Sequence, residues 1–171
     1  MDLNQCSGKP THCQRARHLP KGARTRRTHM QSRATTQWEG DLMSGKGKTS
    51  AGSGTFRDLN LSWKARTEGA ASNTTPEELL ASAHASCFSM ALSHALAQGG
   101  HAPRRLDTTC TVEFGPKQGG GFEVKSSSLE VRGQVPGIDQ AGFQKAAEGA
   151  KNGCPISTAL KIQMSVKATL Q

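Results

Sequence analysis

Between residues 35 and 63 the apolar positions come in short pieces separated by glycine: Gln37-Trp38-Glu39-Gly40, Lys48-Thr49-Ser50, then Leu59 and Leu61 alternating into Trp63. Such pieces, punctuated by Gly45, Gly47, Gly52 and Gly54, predict short strands and hairpins. The pattern changes at Thr75-Pro76-Glu77-Glu78, after a predicted loop over 67–74. A capping Thr, a Pro at the first helical position and a Glu three residues after the cap start a helix. This helix can run to about Ala97 and stop at Gly99-Gly100, with Leu80, Ala83, Cys87, Met90, Ala91 and His94 recurring along one face. Alanines at most other positions make it apolar nearly all round, which predicts a helix in the middle of the fold with Cys87 on its buried face.

Residues 108–114 and 122–131 read as two strands joined through Gly115, Pro116, Gly119 and Gly120. A second helix is expected over 139–151, with Phe143, Ala146, Ala147 and Ala150 as its stripe and Asn152-Gly153 as its end. Cys154-Pro155 follows at once, and Pro155 in the first turn of a short helix to Leu160 puts Cys154 at or beside the N-cap. Ile162, Met164, Val166, Ala168 and Leu170 alternate with polar residues, the pattern of a half-buried strand.

The 171 residues suffice for one domain with a real core. No run reaches membrane-spanning length without interruption, since His84, Ser86, Ser89, Ser93 and His94 break the most apolar stretch, so no membrane partner is expected. Charge is uneven: residues 1–29 hold seven Lys or Arg against Asp2 alone, most of the net +9. Having few apolar residues, this segment is expected to be a disordered basic extension or a start-site artefact, with Met30 an available start and residues 30–171 a single domain. Nucleic-acid binding through the basic segment is the rival it raises, and the rest of the chain offers no aromatic platform or zinc finger to support it.

Five cysteines, at 6, 13, 87, 110 and 154, lack the paired spacing of a zinc site, and no secretory signal is apparent. A reducing, cytoplasmic setting and no bound metal are expected. Cys87 reads equally as a small core hydrophobe. At a helix start, Cys154 is exposed to backbone N–H groups that lower a thiol's pKa. If the two meet in space, one can react with an oxidant and the other resolve the sulfenic acid as a disulfide. Cys110, in a strand, is expected to be buried and inert, and His84 and His94 to be structural.

The segments WEGD at 38–41, GKG at 45–47, TPEELLASAHASCFSMALSHAL at 75–96, VPGID at 135–139 and GCPISTALK at 153–161 resemble the OsmC/Ohr family of thiol peroxidases, closer to its OsmC-like branch. The resemblance runs from about residue 37 to 170. It implies an α+β fold of curved antiparallel sheets around central helices, in an intertwined homodimer with two active sites near the interface. It also implies reduction of organic hydroperoxides, with Cys87 as the peroxidatic and Cys154 as the resolving cysteine. Glu77, ten residues before Cys87, and an arginine best matched by Arg66, with Arg57 and Lys64 as rivals, complete the implied site. Arg66 would stabilise negative charge at Cys87 and on the departing oxygen, and Glu77 would fix the guanidinium.

On this reading no cofactor is bound, and an external dithiol such as dihydrolipoamide or a lipoylated protein resets the disulfide. A pocket walled by Phe88, Met90 and Phe143 would favour alkyl or lipid hydroperoxides. The competing reading within the same fold is a protein that binds a hydrophobic ligand or senses redox state without turning over peroxide.

Overall fold

A computed structural model describes residues 29–69 and 71–171; the expected basic extension falls on residues 1–29, of which 1–28 lie outside the described residues. Three strands, β1 (Ala34–Glu39), β2 (Lys46–Ala51) and β3 (Leu59–Ser62), form an antiparallel sheet in sequential order. The glycines of the first hairpin have a packing reason. Trp38 pairs with Gly47, and a Cβ on Gly47 would stand 2.8 Å from the Trp38 ring, while one on Gly45 would stand 2.9 Å from it. Asp41 closes the turn by accepting from the backbone N–H groups of Met43 and Ser44 at 2.8 and 2.9 Å. The WEGD and GKG segments are therefore hairpin architecture.

Ser62 ends β3 and caps a short helix, α1 (Trp63–Glu68), by accepting from the Ala65 N–H. Trp63 therefore opens a helix, and Arg66 sits on that helix where a strand end and a loop were expected. The next helix, α2 (Pro76–Gln98), begins as predicted: Thr75 accepts from the Glu78 N–H at 3.0 Å, and Glu78 in turn accepts from the Thr74 hydroxyl at 2.8 Å. Its buried face is not the predicted one. Glu77, His84, Phe88, Leu92 and Leu96 are buried, Leu80, Cys87 and Ala91 half-buried, and Ala83, Met90 and His94 exposed. A helix that is apolar nearly all round carries no phase in its pattern, so the large side chains Phe88, Leu92 and Leu96 decide which side turns inward. By length and composition α2 could cross a membrane. Its largest apolar side chains are instead committed to the protein core.

The second sheet holds β4 (Arg105–Pro116), β5 (Phe122–Gln134) and β6 (Gln163–Leu170) in that order. β4 and β5 form the expected hairpin, longer than predicted, but β6 runs parallel to β5, so this sheet is mixed. Alternation along a strand reports which face is buried and says nothing about direction. The parallel return is made possible by two helices, α3 (Gln140–Gly153), capped by Asp139, and α4 (Pro155–Ala159). Two glutamines of α3 then cover the free edge of β6. Gln140 donates to Ala168 O and accepts from Leu170 N, both at 2.8 Å, and Gln144 accepts from Ala168 N at 2.9 Å. An edge strand is thus protected from foreign pairing, and α3 is locked to the sheet.

The core lies between α2, α3 and the second sheet, where Phe88, Leu92, Leu96, Leu129, Val131, Phe143, Ala147 and Cys154 meet. Gly133 on β5 has no side chain because the Phe143 ring lies directly over it, its Cε2 2.9 Å from where a Cβ would be.

Candidate active site

Cys154 ends α3 and is the N-cap residue of α4, with Pro155 at the first helical position, as the sequence predicts. It is fully buried, and Cys87, in the fourth turn of α2, packs half-buried against the same core. The two are free thiols within interaction range of each other. Burial and the neighbouring Cys154 sulfur push Cys87 up from its ordinary value, against the Ile156 backbone N–H, which lowers it. Cys154 is also opposed by burial, yet it is lowered overall. The nearby Ser157 and Ile156 backbone N–H groups, the Cys87 thiol and the Ser157 hydroxyl are what lower it. The start of α4 therefore favours negative charge at Cys154, as a helix start does.

Arg66 and Glu77 form a second cluster. Arg66 Nη2 and Nε donate to Glu77 Oε1 and Oε2 at 2.6 and 3.1 Å, a two-pronged pair with the carboxylate largely buried. The guanidinium also lies 4.2 Å from the centre of the Phe114 ring and 5.6 Å from that of Trp63. Phe114 and Phe122 stack at 5.4 Å, and Trp63 meets both edge-on. Of the predicted rivals, Lys64 pairs with Glu68 on the exposed side of α1, and Arg57 is exposed and lies close to Gly54.

The structure brings Cys87 to Cys154 and Arg66 to Glu77, but it does not join the two clusters within one chain. Glu77 and Cys87 are ten residues apart on one helix, hence about 15 Å along its axis. Among the described residues no hydrogen bond links Arg66 to Cys87, and Arg66 is not among the groups that move the Cys87 thiol. The predicted pocket walls are also corrected. Phe88 and Phe143 are fully buried in the core and Met90 is 67% exposed, so the three do not share a cavity wall. The aromatic group beside Arg66 went unread because Trp63 lies about 50 and 60 residues from its partners. No cluster among the described residues has the make-up of a metal site.

Residues 67–169 match the model of the OsmC-like protein family, and the chain belongs to the OsmC/Ohr family. Peroxiredoxin OsmC of Escherichia coli (strain K12) is 40% identical over 134 residues, 78% of this chain and 92% of that protein. An organic hydroperoxide resistance protein of Xanthomonas axonopodis pv. citri (strain 306) is 33% identical over 115 residues, 66% of this chain and 78% of that protein. The crystal structure of the organic hydroperoxide resistance protein OhrB of Bacillus subtilis shares the fold, with a TM-score of 0.61 at 24% identity over 81% of this chain and 98% of that one. Two adjacent free thiols in this family constitute a two-cysteine, thiol-based peroxidatic centre.

Proposed function

We propose that the protein reduces organic hydroperoxides to alcohols, with Cys87 as the attacking and Cys154 as the resolving cysteine. The observation that carries this reading is the pairing of Cys87 with Cys154 at the start of α4. The Cys87 thiolate attacks the terminal peroxide oxygen, the O–O bond breaks, and the departing alkoxide takes a proton to leave as alcohol. Cys87 is left as a sulfenic acid. The Cys154 thiolate then attacks the Cys87 sulfur, the S–O bond breaks, and hydroxide leaves as water once protonated. A dithiol of the dihydrolipoamide type, free or carried on a lipoylated protein, reduces the disulfide and is itself oxidised to a disulfide.

Arg66 stabilises the anionic sulfur and the developing alkoxide, and Glu77 holds its guanidinium plane. With Nε and Nη2 given to Glu77, Nη1 is the edge left for substrate. Since about 15 Å of helix separates Glu77 from Cys87, one chain supplies the cysteines and a second copy supplies Arg66 and Glu77. A homodimer follows from this reading. Its support on the surface is the outer face of α2, where the small residues Ser82, Ala83, Ser86 and Ala97 are exposed beside the apolar Met90. Trp63, Phe114 and Phe122 then give the substrate's alkyl part an apolar wall, favouring alkyl hydroperoxides over hydrogen peroxide.

The same aromatic group favours, as the second reading, a hydrophobic-ligand binder that does not turn over. Turnover of an alkyl hydroperoxide with dihydrolipoamide, run beside Cys87→Ser and Cys154→Ser, separates the two. Turnover lost in both variants is expected, and absence of turnover in the wild type with tight binding of an apolar ligand would select the binder.

A further inference from the structure

Positions 84, 88, 92 and 96 follow one another down the buried face of α2, and His84 is the polar side chain in a row with Phe88, Leu92 and Leu96. An apolar residue would fill this place with no polar group to satisfy, so a fully buried imidazole here implies partners. It has two. His84 Nδ1 lies 2.7 Å from Ser127 Oγ on β5, and Nε2 lies 2.8 Å from Ser157 Oγ on α4. The two nitrogens belong to one rigid ring, so the imidazole joins two elements at a fixed separation.

α4 is the element that needs such a link. It has five residues, fewer than two turns, and Cys154 at its start makes no side-chain cap hydrogen bond. Among the described residues, the His84–Ser157 contact is the only side-chain hydrogen bond that joins α4 to another element. Ile156 adds apolar packing, which has no preferred direction. The link also falls beside the cysteines on both helices: His84 stands three residues before Cys87 on α2, and Ser157 three residues after Cys154 on α4. Residues three apart on a helix are neighbours on its surface. The tether therefore crosses from α2 to α4 next to the place where the two thiols approach disulfide distance.

We propose that His84 is a positioning residue for disulfide closure: through Ser157 it holds α4 against α2, so that the Cys154 sulfur stays within reach of the Cys87 sulfenic acid. The inference rests on the reading of Cys154 as the resolving cysteine. In the step it governs, the Cys154 S–H gives up its proton and the sulfur bonds to that of Cys87. The Cys87 S–O bond breaks, and the departing hydroxide takes up a proton to leave as water. The tether exchanges neither proton nor electron; it speeds closure by keeping the reacting atoms in place.

The two ends of the ring supply the control. Ser157→Ala cuts the link to α4 and Ser127→Ala the link to β5, and each leaves one buried histidine nitrogen without its hydroxyl, so the two should lower Tm alike. Rapid mixing of the reduced, full-length protein with an alkyl hydroperoxide, with the sulfenic acid trapped by a 1,3-diketone, reads sulfenic acid formation and disulfide closure separately. Ser157→Ala is expected to slow closure about tenfold relative to Ser127→Ala, the worth of one hydrogen bond lost from the closing geometry. Formation should not distinguish the two. His84→Gln, whose amide reaches the place of Nε2, should close faster than His84→Asn, whose amide reaches only that of Nδ1. Equal slowing of closure by the two serine variants, or Asn closing as fast as Gln, would overturn the proposal. If the hydroperoxide leaves Cys87 of the wild type unoxidised, the peroxidatic reading fails. The variants are then compared on the mixed disulfide that methyl methanethiosulfonate forms with Cys87, where attack by Cys154 closes the disulfide and expels methanethiol. The same order of rates supports the tether, and a uniform rate or no closure overturns it.

Discussion

The first and fourth turns of α2 carry two clusters of opposite character. At Glu77 the chemistry is ionic and near the surface: a fixed guanidinium, two exposed or half-exposed aromatic rings around it, and no nucleophile. At Cys87 it is covalent and largely buried, with two thiols beside the backbone N–H groups at the start of α4. On the proposed function, neither cluster suffices for peroxide reduction by itself. A thiol held up by burial needs a cation to become a nucleophile, and the cation on the same chain is about 15 Å along the helix. On the proposed function, a long helix distributes one site over two copies of the chain, so that assembly and activity become a single event.

The largest effects should come from the cysteine end. Cys87→Ser is expected to reduce hydroperoxide turnover by a factor of about a thousand or more, since no other group on this account attacks the peroxide. Arg66→Ala should cost about a hundredfold in kcat/KM, the usual loss on removing one stabiliser of developing charge. These two variants together test the division directly. Mixed dimers of Cys87→Ser and Arg66→Ala chains should recover about half the wild-type activity, because one of the two composite sites is whole. If both clusters served the same chain, mixed dimers would stay as inactive as the parents.

Glu77→Gln keeps the shape and removes the charge that orients Arg66. It should lower kcat/KM by about tenfold and stability by about 1 kcal/mol, little because the guanidinium remains part-exposed to water. The smallest effect belongs to the fully buried His84, whose ring nitrogens lie 2.7 Å from Ser127 Oγ and 2.8 Å from Ser157 Oγ. His84 is held below its ordinary 6.5, so the unfolded chain takes up a proton that the native one refuses. Its contribution to stability is full above about pH 6.5 and is lost as the pH falls toward the lowered native value. Thermal unfolding should therefore show Tm declining below about pH 6.5, and His84→Gln should flatten that part of the decline.

Features that depend on neighbours in sequence were legible before the structure. The Thr75-Pro76 start of α2, the Asp139 start of α3, the place of Cys154 before Pro155 and the β4–β5 hairpin all follow from local chemistry. Features set by distant partners were not. The rotation of α2 depends on which large side chains find the sheet, and alanine elsewhere leaves it undetermined. The parallel pairing of β6 depends on the route of α3 and α4. The helix that carries Arg66 did leave a signal, a Ser cap at Ser62 and a stop at Gly69, but six residues are too few for a period to show. His84 could be read as structural from sequence. Its partners, 43 and 73 residues away, could not.

The central claim is that Cys87 and Cys154 are redox partners. Adding one equivalent of an alkyl hydroperoxide to the fully reduced protein and mapping its disulfides by mass spectrometry tests it most directly. The account predicts one equivalent of alcohol and a Cys87–Cys154 disulfide, with Cys110 still reduced. Recovery of unreacted hydroperoxide with both thiols free, or a disulfide that joins Cys110, would contradict it.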